Sequence, residues 1–101
     1  MMFMVILNST PYLCSIYEQG ITMALNLADA QCDDLAVYLE GDFFESLCLQ
    51  RADSKLVKIL LQLELYDICL YAKRELNLGR LKVMKEDKAK LLNASDKVVV
   101  F

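Results

Sequence analysis

Between Lys58 and Lys73 the chain reads KILLQLELYDICLYAK, and only Gln62, Glu64 and Asp67 between those lysines are strongly polar. A segment this apolar has to be covered by the rest of the chain, so it constrains the fold more than any other stretch. Helix is the first expectation. The alternation LQLEL would suit a strand, but leucine outnumbers valine and threonine, and that favours a helix. With Asp53 or Ser54 as the cap and Gly79 as the stop, the helix is expected over about 55–77, roughly 35 Å at 1.5 Å per residue.

The apolar stripe shifts along this segment. Early on, Lys55, Lys58 and Gln62 share a face while Leu56, Leu60 and Leu63 lie away from it. Later, Glu64, Asp67, Tyr71 and Arg74 form the polar side, and Leu65, Ile68, Ala72 and Leu76 the apolar one. Read as a helix, the shift means different neighbours at its two ends, which makes it the central helix of the domain.

Two shorter helices are expected before it. Asn26 can cap a helix through LADAQCDDLAVYLE, with Ala28, Cys32, Leu35, Ala36 and Leu39 on one stripe and Gly41 as its stop. Asp42-Phe43-Phe44-Glu45 resembles a capping box opening a helix to about Ala52. Beyond Gly79, residues 80–84 and 97–101 (KVVVF) read as short strands that could pair, with 3–7 as a further partner. The segment KEDKAKLLN between them holds helix formers. The expected fold is therefore mainly α: a three-helix core with a long central helix and a minor β element.

Residues 23–101 are expected to form this single domain. Residues 1–22 lack a clear period, Gly20 marks a break, and Met23-Ala24-Leu25 resembles a start, so 1–22 reads as an N-terminal extension of uncertain order.

At 56% apolar the chain carries more hydrophobic side chain than a core of 101 residues ordinarily needs. A second copy or a protein partner is expected to cover the surplus. No run reaches the ~20 apolar residues of a membrane span, and MMFMVIL lacks the basic segment and cleavage site of a signal peptide. Cys14, Cys32, Cys48 and Cys69 are widely spaced, without a CxxC pair and without any histidine, which argues against a structural metal and for a reduced, cytoplasmic setting. No cofactor is expected, and no enzyme: the usual proton-transfer base is absent, and Cys48 near Arg51 is the nearest approach to an activated thiol.

Charge is divided unevenly. Residues 1–50 hold seven acids and no base, residues 51–101 eleven bases and seven acids, so the halves carry −7 and +4. Such halves attract within one chain, between two copies, or toward an outside partner. The first functional expectation is a protein-interaction domain of the inhibitor, immunity-protein or adaptor kind. It would use an acidic helix face of Asp29, Asp33, Asp34 and Glu40, with Phe43 and Phe44 as apolar anchors if exposed. The alternative is nucleic-acid binding through Arg74, Arg80, Lys82 and Lys85, because three helices followed by two strands is also the order of a winged helix.

Overall fold

The structure, a computed structural model, describes residues 2–11, 15–30 and 34–101. The described residues form one six-stranded sheet and four helices, in the order β1 (Met2–Leu7), α1 (Ile16–Asp29), β2 (Asp34–Leu39), α2 (Gly41–Cys48), α3 (Lys55–Glu64), β3 (Cys69–Ala72), β4 (Leu76–Leu78), β5 (Leu81–Lys85), α4 (Lys88–Ala94) and β6 (Lys97–Val100). Across the sheet the strands run β4-β5-β3-β2-β1-β6. All neighbours are parallel except β4 and β5, which form a hairpin. In that hairpin Gly79, at φ 59°, supplies the positive angle of the two-residue turn.

The side each helix occupies follows from the strand order. Parallel strands are joined by right-handed crossovers, so the direction of the step across the sheet decides the face on which the helix lands. The path β1 to β2 to β3 steps one way, and α1, α2 and α3 share one face. There Tyr17, Ile21 and Ala24, Phe43, Phe44 and Leu47, and Leu56, Val57, Leu60 and Leu63 pack on Val5, Leu7, Val37, Leu39, Leu70, Ala72, Leu81 and Val83. The step from β5 to β6 returns across three strands, and α4 falls on the other face, where Leu91 packs over Met4, Ile6, Ala36 and Tyr38.

This α/β architecture overturns the mainly α expectation, and the helical bundle with it. The stripe assigned to a helix at 26–40 breaks: α1 ends at Asp29 and Asp34–Leu39 is β2. A strand covered on both faces shows an unbroken apolar run, and LAVYL is such a run, too short to be told from helix by periodicity. The long central helix is α3 alone. Ser54 caps it, its hydroxyl accepting the Val57 N–H at 3.2 Å, but it stops at Glu64.

The stop is a Schellman motif. Ile68 N–H donates to the Leu63 carbonyl at 3.1 Å and Asp67 N–H to the Glu64 carbonyl at 3.0 Å, with Asp67 left-handed at φ 57°. Ile68 and Leu63, both buried, make the apolar contact that accompanies this turn. The shift of the stripe near residue 64 is thus the end of the helix. Beyond the turn, the run CLYA is β3.

Residues 3–7, 80–84 and 97–101 do hold strands; the expected pairing of 97–101 with 3–7 forms, and that of 97–101 with 80–84 does not. β6 pairs with β1, in register Phe3↔Lys97 to Ile6↔Val100, and β5 pairs with β3. Residues 2–7 are β1, flanked by β2 and β6, and Met23 lies in mid-α1. Gly41 opens α2 at φ 57°, where it was expected to end a helix. Among the described residues no helix is long and apolar enough to cross a membrane.

Gly20 is a packing glycine inside α1. A Cβ there would lie 2.5 Å from Leu7 Cδ2 and 3.0 Å from the Phe101 ring, so its absence lets the helix approach the sheet. Gly20→Ala gains up to about 1 kcal/mol of helix propensity and loses about 1–3 kcal/mol to overpacking. The expected net is a melting temperature lower by about 5 °C. A melting temperature at or above wild type in a calorimetric scan contradicts the close approach.

Candidate functional site

The sheet is covered unequally. Six strands at about 4.8 Å spacing make a surface roughly 24 Å wide, and a seven-residue helix is only about 10 Å long. α4 is the one described helix on its face, and it seals the β1–β2 centre. On one flank of α4, Cys69 is exposed, Tyr71 is half-buried and Met84 is 44% exposed. Tyr71 and Met84 are register partners across β3 and β5, so they stand side by side. On the other flank lie Val98 and Val100, 40% and 54% exposed.

The Tyr71 phenol titrates above its ordinary value because burial disfavours the phenolate, with Cys69 and Glu86 adding to the shift. It therefore stays neutral through the physiological range. Near it a groove of about 720 Å³ runs from the end of α3 to β5, its lining including apolar Leu65, Ile68, Cys69, Leu70 and Met84 and charged Lys58, Arg80, Lys82, Glu64 and Asp67.

The carboxyl ends of the parallel strands, where open α/β sheets bind their ligands, hold ion pairs. Just past β2, Glu40 meets Lys88 at 2.7 Å, and past β3 the pair Lys73 and Arg74 reach Glu45 at 3.2 and 3.5 Å. Arg74 also donates to the Cys48 sulfur at 3.2 Å and lies 5.0 Å over the Phe44 ring. The hydrogen bond from Lys73, with Arg74 alongside, holds the Glu45 carboxyl below the usual glutamate range, so the pairing is lost only as the pH falls through that lowered value. Cations engaged in this way are poorly placed to receive an anion. Ser9 Oγ, after β1, is buried without a hydrogen-bond partner among the described residues.

These contacts show where the acidic and basic halves meet: Glu40 and Glu45 pair with bases of the second half of the same chain. The acidic helix face does not form. Asp29 is exposed at the end of α1, Asp34 is exposed at the start of β2, and Glu40 follows the other end of that strand, about 20 Å away at 3.3 Å per residue. Asp33, like Cys14 and Cys32, lies outside the described residues. Phe43 and Phe44 are fully buried, so neither is an exposed anchor.

The basic set is also divided. Arg74 and Lys85 lie at the carboxyl edge, whereas Arg80 sits in the β4–β5 turn and Lys82 on the outer face of β5 near Met84. Six parallel and antiparallel strands in one sheet are not a winged helix, so that route to nucleic-acid binding falls with the fold. Cys48 meets Arg74 and not the expected Arg51, which pairs with Asp53 at 3.8 Å.

Sequence reasoning missed Cys69, Met84, Val98 and Val100 as surface, and set Tyr71 on the polar side of a helix where it stands in β3. The valine run of KVVVF, without polar alternation, was the only local signal for the valines; Cys69 and Met84 need the topology to place them.

No protein-family model matches the sequence, and no curated protein matches it. Among solved structures, the chain is similar to the crystal structure of the ychN protein from E. coli, with a TM-score of 0.70 and 18% identity over the full length of both chains. At that identity the likeness speaks for the α/β fold alone.

Proposed function

We propose that this protein acts by protein contact, presenting the uncovered flank of its sheet to a partner, in the manner of an adaptor or inhibitor. The observation that supports this reading is the side-by-side placement of exposed Cys69 and Met84 with half-buried Tyr71, which packs at the margin of the α4 cluster, on a flank that α4 leaves open. Contiguous apolar surface with a charged rim is what interaction sites present, and Tyr and Met are enriched in them. The functional class is that expected from the sequence, and the surface is a different one, with Lys82 and Arg80 in its lining instead of Asp29 and Asp34.

The test uses full-length tagged protein recovered gently from the cells that make it, beside Met84→Lys. Met84 is an exposed position, so the substitution is expected to leave the melting temperature within about 2 °C, matching a stability change inside ±0.5 kcal/mol. A partner that co-purifies with wild type and is lost with Met84→Lys supports the reading. A partner retained equally by both, or none with either, overturns it.

A further inference from the structure

The two edges of the sheet differ. β4 spans three residues with polar Asn77 at its centre, the short, blunted form of an edge strand. β6 is KVVV, followed by Phe101, and among the described residues only its β1 side is paired. The direction of its backbone groups follows from two hydrogen bonds: Phe101 N–H donates to the Ile6 carbonyl at 2.7 Å, and Asn8 N–H donates to the Phe101 carbonyl at 2.8 Å. Alternate residues of a strand direct both backbone groups to the same side. Lys97, Val99 and Phe101 therefore face β1, and Val98 and Val100 present two N–H and two C=O groups outward.

We propose that β6 pairs antiparallel with β6 of a second copy of this chain, about a two-fold axis through Val99, joining two six-stranded sheets into one. In that register Val98 lies opposite Val100 of the other copy, and each of the two pairs exchanges two hydrogen bonds. All outward groups of both residues are then satisfied by one another. The side chains agree: Val98 and Val100 pair on the face that α4 leaves open, and β-branched cross-strand pairs favour a sheet. Charge agrees as well, because the strand's one ionic residue, Lys97, falls opposite Phe101 and not opposite the second lysine. An axis through Val98 would set Val100 against Asp96, whose N–H already donates to the Met2 carbonyl at 2.9 Å. The self-complementary register is thus centred on Val99. It rests on the free edge of β6 and is independent of the β3–β5 flank.

The first test is sedimentation equilibrium on the full chain at about 0.2 mM, a concentration that populates even a weak dimer. Wild type is expected near twice the 11.5 kDa chain mass. Val100→Pro removes one outward donor per copy and leaves the β1 ladder intact, since the Val100 N–H is no part of it. It is expected to weaken the dimer about tenfold or more while the far-ultraviolet circular dichroism stays the same. Should that variant fold poorly, Val98→Lys/Val100→Lys blocks the same edge through side chains.

Register is read separately. Val99→Cys places two thiols in a non-hydrogen-bonded pair with Cα atoms about 4.5 Å apart, inside disulfide range. In a Cys69→Ser background with oxidised glutathione it is expected to cross-link faster than Val98→Cys. A wild-type monomer at this concentration, a dimer unweakened by both edge variants, or equal cross-linking by the two cysteine variants overturns the proposal. Met84→Lys leaves this dimer intact, which separates its failure from that of the partner-binding flank.

Discussion

Phe44→Ala is expected to lower the unfolding free energy by about 3–5 kcal/mol, the range for truncating a buried aromatic. Phe44 has no exposed surface, and Arg74 covers one side of its ring at 5.0 Å. Its neighbour Phe43, equally buried, meets the Tyr17 ring at 5.5 Å, so α2 is fixed to the sheet and to α1 by adjacent aromatic residues. Small domains hold about 5–15 kcal/mol in all, so this one change removes a large share. Urea unfolding followed by circular dichroism measures it. A loss below about 1 kcal/mol is the size of an ordinary surface change and contradicts the buried position. It would return Phe44 to the role of an exposed anchor.

The next largest effect separates two residues three positions apart. Ile68→Ala is expected to cost about 2–4 kcal/mol, because the side chain is 6% exposed and closes the turn that ends α3. Leu65→Ala is expected to cost under about 0.5 kcal/mol, since Leu65 is 83% exposed. A helix continuing to residue 77 would set both on one buried stripe and make the losses comparable. The two melts side by side thus test where α3 stops.

That stop explains much of what the sequence did and did not disclose. Ser54 is legible as a cap, and Leu56, Leu60 and Leu63 as the buried stripe of α3, because both signals are local. The stop is less visible: Asp67 takes the left-handed position usually given to glycine, so no punctuation marks the boundary. β1 and β6 were legible from their β-branched and apolar runs. β2 was not, because Ala36 and Leu39 fit a helical stripe as well as a doubly covered strand. Of the candidate site, Glu40 pairs with Lys88 of the same chain, the within-chain attraction that the charge asymmetry allowed beside an outside partner. The uncovered flank was out of reach: Cys69 and Met84 are neighbours only through the pairing of β3 with β5, and no local pattern announces that.

The pairing of β6 with β1 has a consequence for how the molecule assembles in time. Met2 N–H reaches the Asp96 carboxylate at 2.8 Å across a separation of 94 residues. Contacts this distant in sequence carry a high loop-closure cost before they return any stability, so folding is expected to be slow for a chain of this size. During synthesis β1 emerges first and waits, its β6 side unpaired, until nearly a hundred further residues have been made. At 5–20 residues per second that wait lasts roughly 5–20 s. A strand paired along both sides in the finished sheet is therefore the one longest exposed on the ribosome, and it is where a chaperone would have most to protect.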